Sequence, residues 1–216
     1  MHLDIAMATD SRQIFNVPNQ ITMLRLVLSV VVFVLVPLEL YIPALIVFAV
    51  AAGTDWVDGY YARKYDQVTQ LGRILDPFCD KIIICGSYIL LSVQMRDIQA
   101  DSFGLSVQIA GWMAVVVVGR ELLVTALRGF IEQHGGDFSA KFSGKLKMVF
   151  QCAAVIGSLA VLSNPTESSD QLRATTLLLI WLSVVSTIYT GIIYIQAAIK
   201  TIGDFKSSYD ATAAND

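Results

Sequence analysis

The chain has 216 residues, of which 55% are hydrophobic and only 15% are charged, and its mean hydropathy is +0.62. This composition is too apolar for an ordinary soluble domain of this length. The formal net charge is −3, and no nucleic-acid partner is expected. A location in a lipid bilayer is therefore the first inference.

Apolar stretches recur that are long enough to cross about 30 Å of hydrocarbon as helices of roughly 20 residues. The alternation that a lipid-facing barrel needs is absent, so helices are the remaining way to span a membrane. The sequence predicts an all-α, polytopic membrane bundle of about six transmembrane helices. The predicted spans are 20–38, 41–64, 77–95, 105–130, 143–162 and 172–199.

Basic residues predict the orientation of these spans, because cytoplasmic loops of membrane proteins carry an excess of Lys and Arg. With both termini in the cytoplasm, eight basic residues lie on or near the inner side: Arg12, Arg63, Lys64, Arg73, Arg128, Lys141, Lys200 and Lys206. Only Arg96 and Arg173 lie clearly outside. We predict a multi-pass protein of the cell inner membrane with both termini in the cytoplasm.

No linker or internal repeat divides the chain, so residues 1–200 are predicted to form a single membrane domain. Residues 10–17 could form a short helix on the membrane surface, and a plain soluble extension fits equally well. Residues 201–216 are predicted to be a polar, frayed or disordered tail. The three cysteines fall within predicted spans and are interpreted as small packing residues.

Two pairs of carboxylates stand out, because charged groups in apolar helices are costly. Asp55 and Asp58 are one helical turn apart and share a face, as do Asp76 and Asp80 at the start of the next apolar run. Pro77 suits the first position of a helix capped by Asp76. A kinked helix that begins near residue 72 fits as well.

Neighbouring helices joined by a short loop are antiparallel, so both aspartate pairs should meet at the cytoplasmic end of the bundle. Four carboxylates so close together need cations to neutralise them, and an all-oxygen ligand set favours Mg²⁺ or Mn²⁺ over zinc. Two such ions form the usual clamp for phosphoryl transfer. Gly59 and Ala62 leave room for a ligand, and Arg63 can offer a planar fork to phosphate oxygens.

The fixed residues of this region follow one pattern: Asp55-x-x-Asp58-Gly59-x-x-Ala62-Arg63, eight residues, then Gly72-x-x-x-Asp76-x-x-x-Asp80. The pattern resembles the signature of the CDP-alcohol phosphotransferase family at every defining position. The resemblance implies an enzyme that transfers a phosphatidyl group from CDP-diacylglycerol to an alcohol, with an active site that faces the cytoplasm. It also suggests a homodimer.

The same resemblance implies roles for individual residues. Asp55, Asp58, Asp76 and Asp80 would hold two divalent ions, Mg²⁺ or Mn²⁺, and Asp80 would also take the proton of the acceptor hydroxyl. Six residues would contact CDP-diacylglycerol: Gly59, Arg63, Thr69, Asn19, Thr22 and Arg25.

Three further stretches, residues 19–25, 119–128 and 143–147, are similar to the subfamily that uses glycerol 3-phosphate as the acceptor, although Met148 departs from its pattern. A phosphorylated acceptor also suits the basic residues near the inner ends of spans four and five. The candidate acceptor-binding residues are Arg120, Lys145, Arg128, Lys141 and Lys147. Glu121 is expected to point away from Arg120, which leaves substrate or another span as the partner of Arg120.

Several alternatives stay open. Within the same chemistry, the acceptor could be inositol phosphate or phosphatidylglycerol. A cation transporter would also need membrane aspartates, but it predicts them near the middle of separated spans. A non-catalytic scaffold could retain the pattern. Positive-inside topology alone would also place the basic residues of spans four and five where they are.

Overall fold

A computed structural model describes the backbone of residues 17–65, 70–96, 106–133, 143–166 and 168–213. Side chains are described at residues 20, 22–54, 78–79, 81–96, 106–129, 146–166 and 168–203. The described chain forms helices α1 (Val17–Leu35), α2 (Tyr41–Tyr65), α3 (Gln70–Gln94), α4 (Gly111–Gln133), α5 (Ser143–Ser163) and α6 (Asp170–Ala213). The predicted all-α class is confirmed for these residues.

The helices pack as a bundle in which α1 contacts α2 and α3, and α6 contacts α4 and α5. The Tyr41 hydroxyl donates a hydrogen bond to Gln94 Oε1 at 3.5 Å, which joins the start of α2 to the end of α3. Gln94 Nε2 donates to the carbonyl of Val36, also at 3.5 Å. Helices α2 and α3 are therefore antiparallel, so the end of α2 and the start of α3 lie at the same end of the bundle.

The interior of the bundle is filled by large apolar side chains, among them Phe48, Tyr88 and Leu159, which are fully buried. The outer surface is also apolar: Val115 is 71% exposed and Ile199 is 66% exposed. An extended apolar surface of this kind favours a lipid environment over water.

Two helical segments are long and apolar enough to cross a membrane, Leu146–Ser163 and Asp170–Gly203. Shorter apolar helical segments cover Thr22–Leu35, Tyr41–Thr54 and Lys81–Gln94. These findings rest on length and composition in the described part of the chain, and they agree with a membrane protein.

The predicted fourth span, 105–130, begins too early. Residues 106–110 are not helical, and α4 starts at Gly111. Val107 and Ile109 are each 1% exposed, whereas residues 106 and 108 are exposed. This alternation is the period of an extended segment, which buries every second side chain. Two apolar side chains of this segment therefore enter the core without belonging to a helix.

The end of the chain also differs from the prediction. Helix α6 continues to Ala213, so the expectation of a frayed tail is wrong for residues 201–213. At 1.5 Å per residue, its 44 residues span roughly 66 Å, about twice the hydrocarbon thickness. The predicted surface helix at 10–17 lies outside the described residues, apart from Val17, which begins α1.

Candidate active site

Both aspartate pairs lie in helices, as the spacing predicts. Asp55 and Asp58 belong to the second half of α2, and Asp76 and Asp80 belong to the first half of α3. Separations of three and four residues place each pair on one face of its helix. Because α2 and α3 are antiparallel, the two pairs lie at the same end of the bundle, hereafter the aspartate end. The side chains of all four aspartates lie outside the described residues.

The prediction that Asp76 caps the third helix is wrong, because α3 begins at Gln70 and includes Asp76. The other interpretation, a helix that begins near residue 72, agrees with the structure. Pro77 then lies inside the helix and has no N–H to donate to the carbonyl of residue 73. That carbonyl oxygen, about one turn before Asp76, is free of its usual helical partner.

Helix α1 contributes two polar side chains to the interior of the bundle near the aspartate end. Thr22 is 2% exposed and Arg25 is 3% exposed, and their separation of three residues places them on one face of α1. A buried guanidinium is expensive unless polar or anionic groups surround it. Both residues are therefore placed inward, as a ligand-contacting role requires, rather than on the outer surface.

The remaining residues predicted to contact CDP-diacylglycerol are placed only by their backbone. Asn19 belongs to α1, and Gly59 and Arg63 belong to α2, close to the aspartates in sequence. The side chains of Asn19 and Arg63 lie outside the described residues, as does the whole of Thr69.

A buried cluster of charged residues joins α4 to α5. Glu121 Oε1 accepts a hydrogen bond from Arg120 Nη1 at 3.2 Å and a second one from Lys147 Nζ. The side chains of Arg120, Glu121 and Lys147 are 9%, 7% and 7% exposed. The prediction that Glu121 points away from Arg120 is wrong, because the long Arg120 side chain reaches the carboxylate of its own neighbour.

Among the other candidate acceptor residues, only Arg128 has a described side chain. Arg128 is exposed on α4, about two turns further along the helix. Lys145 lies in the first turn of α5 with its side chain outside the described residues, and Lys141 lies outside them altogether. Of the five predicted residues, the structure brings Arg120 and Lys147 together.

Sequence reasoning missed Glu121 as a member of the site. The signal that could have found it is the one that identified the aspartates: a carboxylate inside an apolar helix is costly and needs a cationic partner. Sequence spacing pointed only to neighbours on one helix, whereas Lys147 comes from α5, 26 residues away.

The cysteines behave as predicted. Cys79 is buried, Cys85 and Cys152 are partly buried, and none of these three described residues forms a disulfide. Among residues with described side chains, no group of three or more His, Cys, Asp or Glu is close enough to hold a metal ion. The four aspartates are not among those residues, so the candidate metal site is supported by the positions of these residues on α2 and α3.

A family model for CDP-alcohol phosphatidyltransferases matches residues 15–189, which include α1 to α5, both aspartate pairs and the charged cluster. The chain belongs to this family of membrane enzymes, which transfer phosphatidyl groups.

Similar proteins from several bacteria carry the name CDP-diacylglycerol–glycerol-3-phosphate 3-phosphatidyltransferase. The one from Bacillus subtilis is 33% identical over 192 residues, which cover 82% of this chain and 92% of the relative. The one from Haemophilus influenzae is 30% identical over 191 residues, covering 85% and 94%. The one from Rickettsia bellii is 29% identical over 189 residues, covering 86% and 96%.

Proposed function

We propose that this protein transfers the phosphatidyl group of CDP-diacylglycerol to glycerol 3-phosphate, which yields phosphatidylglycerophosphate and CMP. The observation that carries the proposal is the placement of two aspartate pairs on the adjoining ends of antiparallel helices, within a chain that matches its relatives over most of its length.

The reaction is a displacement at phosphorus. The primary hydroxyl oxygen of glycerol 3-phosphate bonds to the phosphorus that carries diacylglycerol, and the bond from this phosphorus to the bridging oxygen of the diphosphate breaks. CMP leaves with that oxygen and its electron pair. The hydroxyl proton passes to Asp80, which lies in α3 at the aspartate end.

Four carboxylates at one end of a bundle fit divalent ions, because an oxygen-only donor set is what Mg²⁺ and Mn²⁺ prefer. Asp55, Asp58, Asp76 and Asp80 would hold two such ions, and the ions would supply positive charge to offset that of the diphosphate. The carbonyl of residue 73, to which Pro77 cannot donate a hydrogen bond, would add an oxygen near the same place. The nucleotide end of the donor would be bound by six residues: Asn19, Thr22, Arg25, Gly59, Arg63 and Thr69.

The phosphate of the acceptor is assigned to basic residues of α4 and α5. Arg120 and Lys147 form the buried part of this set, and Arg128, Lys141 and Lys145 extend it toward the cytoplasm. Two cations against one carboxylate leave a surplus positive charge, which suits a dianionic phosphate monoester better than a neutral alcohol.

The aspartate end is placed at the cytoplasmic side of the cell inner membrane, with six spanning helices and both termini inside. The excess of Lys and Arg at that end supports this orientation. Acyl chains of the donor would stay in the bilayer while its headgroup enters the polar end of the bundle. In a homodimer, the aspartate ends of both copies would face the same side of the membrane.

The test is release of CMP from CDP-diacylglycerol by the purified protein with Mg²⁺ or Mn²⁺. Glycerol 3-phosphate, inositol phosphate and phosphatidylglycerol are compared as acceptors. Turnover with glycerol 3-phosphate alone is expected. Turnover only with another acceptor would keep the chemistry and overturn the substrate, whereas no metal-dependent release with any acceptor would favour a cation transporter or a scaffold.

A further inference from the structure

Glu121 is the centre of the charged cluster. Its Oε1 atom accepts hydrogen bonds from Arg120 of the same helix and from Lys147 of α5. Each of the three side chains is more than nine-tenths buried. One carboxylate oxygen therefore holds two cationic groups from two helices inside the bundle.

Electrostatics makes Glu121 necessary for this arrangement. Arg120 and Lys147 are like charges in a setting of low dielectric constant, where their repulsion is only weakly screened. Glu121 offsets that repulsion and replaces part of the water that burial removes from each cation. Two cations and one carboxylate still leave one surplus positive charge, so the cluster remains attractive to an anion.

Arg120 is fixed by more than its bond to Glu121. The guanidinium carbon lies 5.3 Å from the centroid of the Tyr194 ring on α6, within the range of a cation–π contact. A Cβ atom on Gly191 would lie 3.2 Å from Arg120 Cγ, so this glycine leaves room for the arginine side chain. Arg120 is thus confined between α4 and α6.

One donor of this confined arginine is unused. Arg120 Nε is buried and has no hydrogen-bond partner among the described residues. A buried N–H without an acceptor is destabilising, so such a group is normally hydrogen-bonded to protein, to an ordered water or to a ligand. An unused donor beside a surplus positive charge is suited to a phosphate oxygen.

The cluster also lies beside α3, the helix that carries Asp76 and Asp80 and that contacts both α4 and α5. The Cys85 thiol of α3 is within electrostatic range of both Glu121 and Lys147. Cys85 follows Asp80 by five residues, a rise of roughly 7.5 Å along the helix. A small acceptor molecule could therefore reach from the cluster toward Asp80.

We propose that Glu121 is a positioning residue for the acceptor: it holds Arg120 and Lys147 at the spacing with which they bind the phosphate of glycerol 3-phosphate. Glu121 itself does not touch the reacting atoms. This inference rests on the proposed function, and it adds a carboxylate to a site whose other assigned members are all basic.

The experiment measures KM for each substrate, kcat and the unfolding temperature for wild type, Glu121→Gln and Glu121→Asp. Glu121→Gln should raise KM for glycerol 3-phosphate at least tenfold and leave KM for CDP-diacylglycerol within twofold. Glu121→Asp, which keeps the charge on a shorter side chain, should recover part of the loss. Glu39→Gln makes the same chemical change in the turn at the opposite end of the bundle and should change neither KM.

A double-mutant cycle separates positioning from folding. Lys147→Met removes one of the two cations that Glu121 holds and keeps the pair of Glu121 with Arg120. If Glu121 acts through these cations, Glu121→Gln should raise the KM for glycerol 3-phosphate by a smaller factor in the Lys147→Met background than in wild type.

Two results would overturn the inference: unchanged acceptor KM in Glu121→Gln, or the same fold-change in acceptor KM for Glu121→Gln in the wild-type and Lys147→Met backgrounds. A fall in unfolding temperature and kcat with both KM values unchanged would assign Glu121 a structural role instead. If wild type does not use glycerol 3-phosphate at all, the proposed function fails and this inference fails with it. If wild type uses glycerol 3-phosphate but Glu121→Gln leaves its KM unchanged, the inference is refuted and the proposed function still stands.

Discussion

The hydroxyl of Tyr88 and Oγ of Ser183 lie 2.6 Å apart in the interior of the bundle and join α3 to α6. Ser183 Oγ donates its own proton to the carbonyl of Ile180 at 2.8 Å. Because a serine hydroxyl has a single proton, Tyr88 must be the donor in the bond between the two side chains. The helix that carries Asp76 and Asp80 is thereby tied to the longest helix of the protein.

Removing either side of this bond should have unequal effects on stability. Tyr88→Phe leaves Ser183 bonded to Ile180, so we expect a loss of about 0.5–1.5 kcal/mol. Ser183→Ala leaves the Tyr88 hydroxyl buried without an acceptor, and the expected loss is about 1–3 kcal/mol. Unfolding of the purified protein in detergent measures both. A larger loss for Tyr88→Phe would contradict the assigned donor.

The approach of α5 to α6 depends on Gly157. A Cβ atom at this position would lie 2.7 Å from Thr176 Oγ1, and Thr176 is 1% exposed. Gly157→Ala should therefore destabilise the protein by about 1–3 kcal/mol through overpacking. Thr176→Ala should restore much of that loss when the two changes are combined, because it removes the atoms that the new methyl group meets.

Gly129→Ala is the matched control for this glycine. Gly129 lies in α4 with nothing within 4 Å of an added Cβ atom, so the better helix propensity of alanine should leave stability unchanged or raise it by up to about 1 kcal/mol. Equal destabilisation of the two variants in a thermal unfolding measurement would show that Gly157 is not a contact point between helices.

The ring of Tyr194 should affect acceptor binding through Arg120. Tyr194→Leu removes the aromatic face under the guanidinium, and a desolvated cation–π contact contributes about 0.5–2 kcal/mol. We expect KM for glycerol 3-phosphate to rise about 2- to 30-fold. Tyr194→Phe keeps the ring face and should show a smaller rise. Steady-state kinetics with saturating CDP-diacylglycerol measures the KM of each variant. Equal KM values for Tyr194→Leu and Tyr194→Phe would rule out a contribution of the ring contact.

The aspartates should act as one unit. Asp55→Asn, Asp58→Asn, Asp76→Asn and Asp80→Asn should each lower CMP release by at least about 100-fold, because removing a charge-stabilising ligand costs several kcal/mol at the transition state. A chelator should abolish turnover, and added Mg²⁺ or Mn²⁺ should restore it. Asp170→Asn is the matched control, because Asp170 begins α6 at the opposite end of the bundle. Full activity after chelation would remove the ions from the mechanism.

The bounds of a helix could be predicted from the sequence where an apolar run is flanked by polar residues. The second span, 41–64, agrees with α2 to within one residue, and the fifth, 143–162, agrees equally well with α5. The prediction was wrong where residues of an apolar span are not helical and where polar residues are helical. Residues 106–110 fall within a predicted span but are not helical, whereas the polar residues 201–213 are helical. Hydropathy reports the surroundings of a residue, and it reports backbone conformation only indirectly.

In the candidate site, the sequence predicted what depends on a single helix but not what depends on packing between helices. The aspartate pairs follow from spacing, since residues three and four apart on a helix share a face. The partnership of Glu121 with Lys147 does not follow, because it depends on how α4 packs against α5. The sequence around Pro77 also suggested that Asp76 caps α3, whereas α3 begins at Gln70, about a turn and a half before Asp76.

The proposed function requires that this chain makes phosphatidylglycerophosphate at the four-aspartate site. The most direct measurement supplies purified protein with CDP-diacylglycerol, a divalent ion and radiolabelled glycerol 3-phosphate, and follows the label into extracted lipid. We predict that label appears in phosphatidylglycerophosphate with wild type and with Asp170→Asn, and that it does not appear with Asp80→Asn. Absence of labelled lipid with wild type, or equal labelling with Asp80→Asn, would contradict the claim.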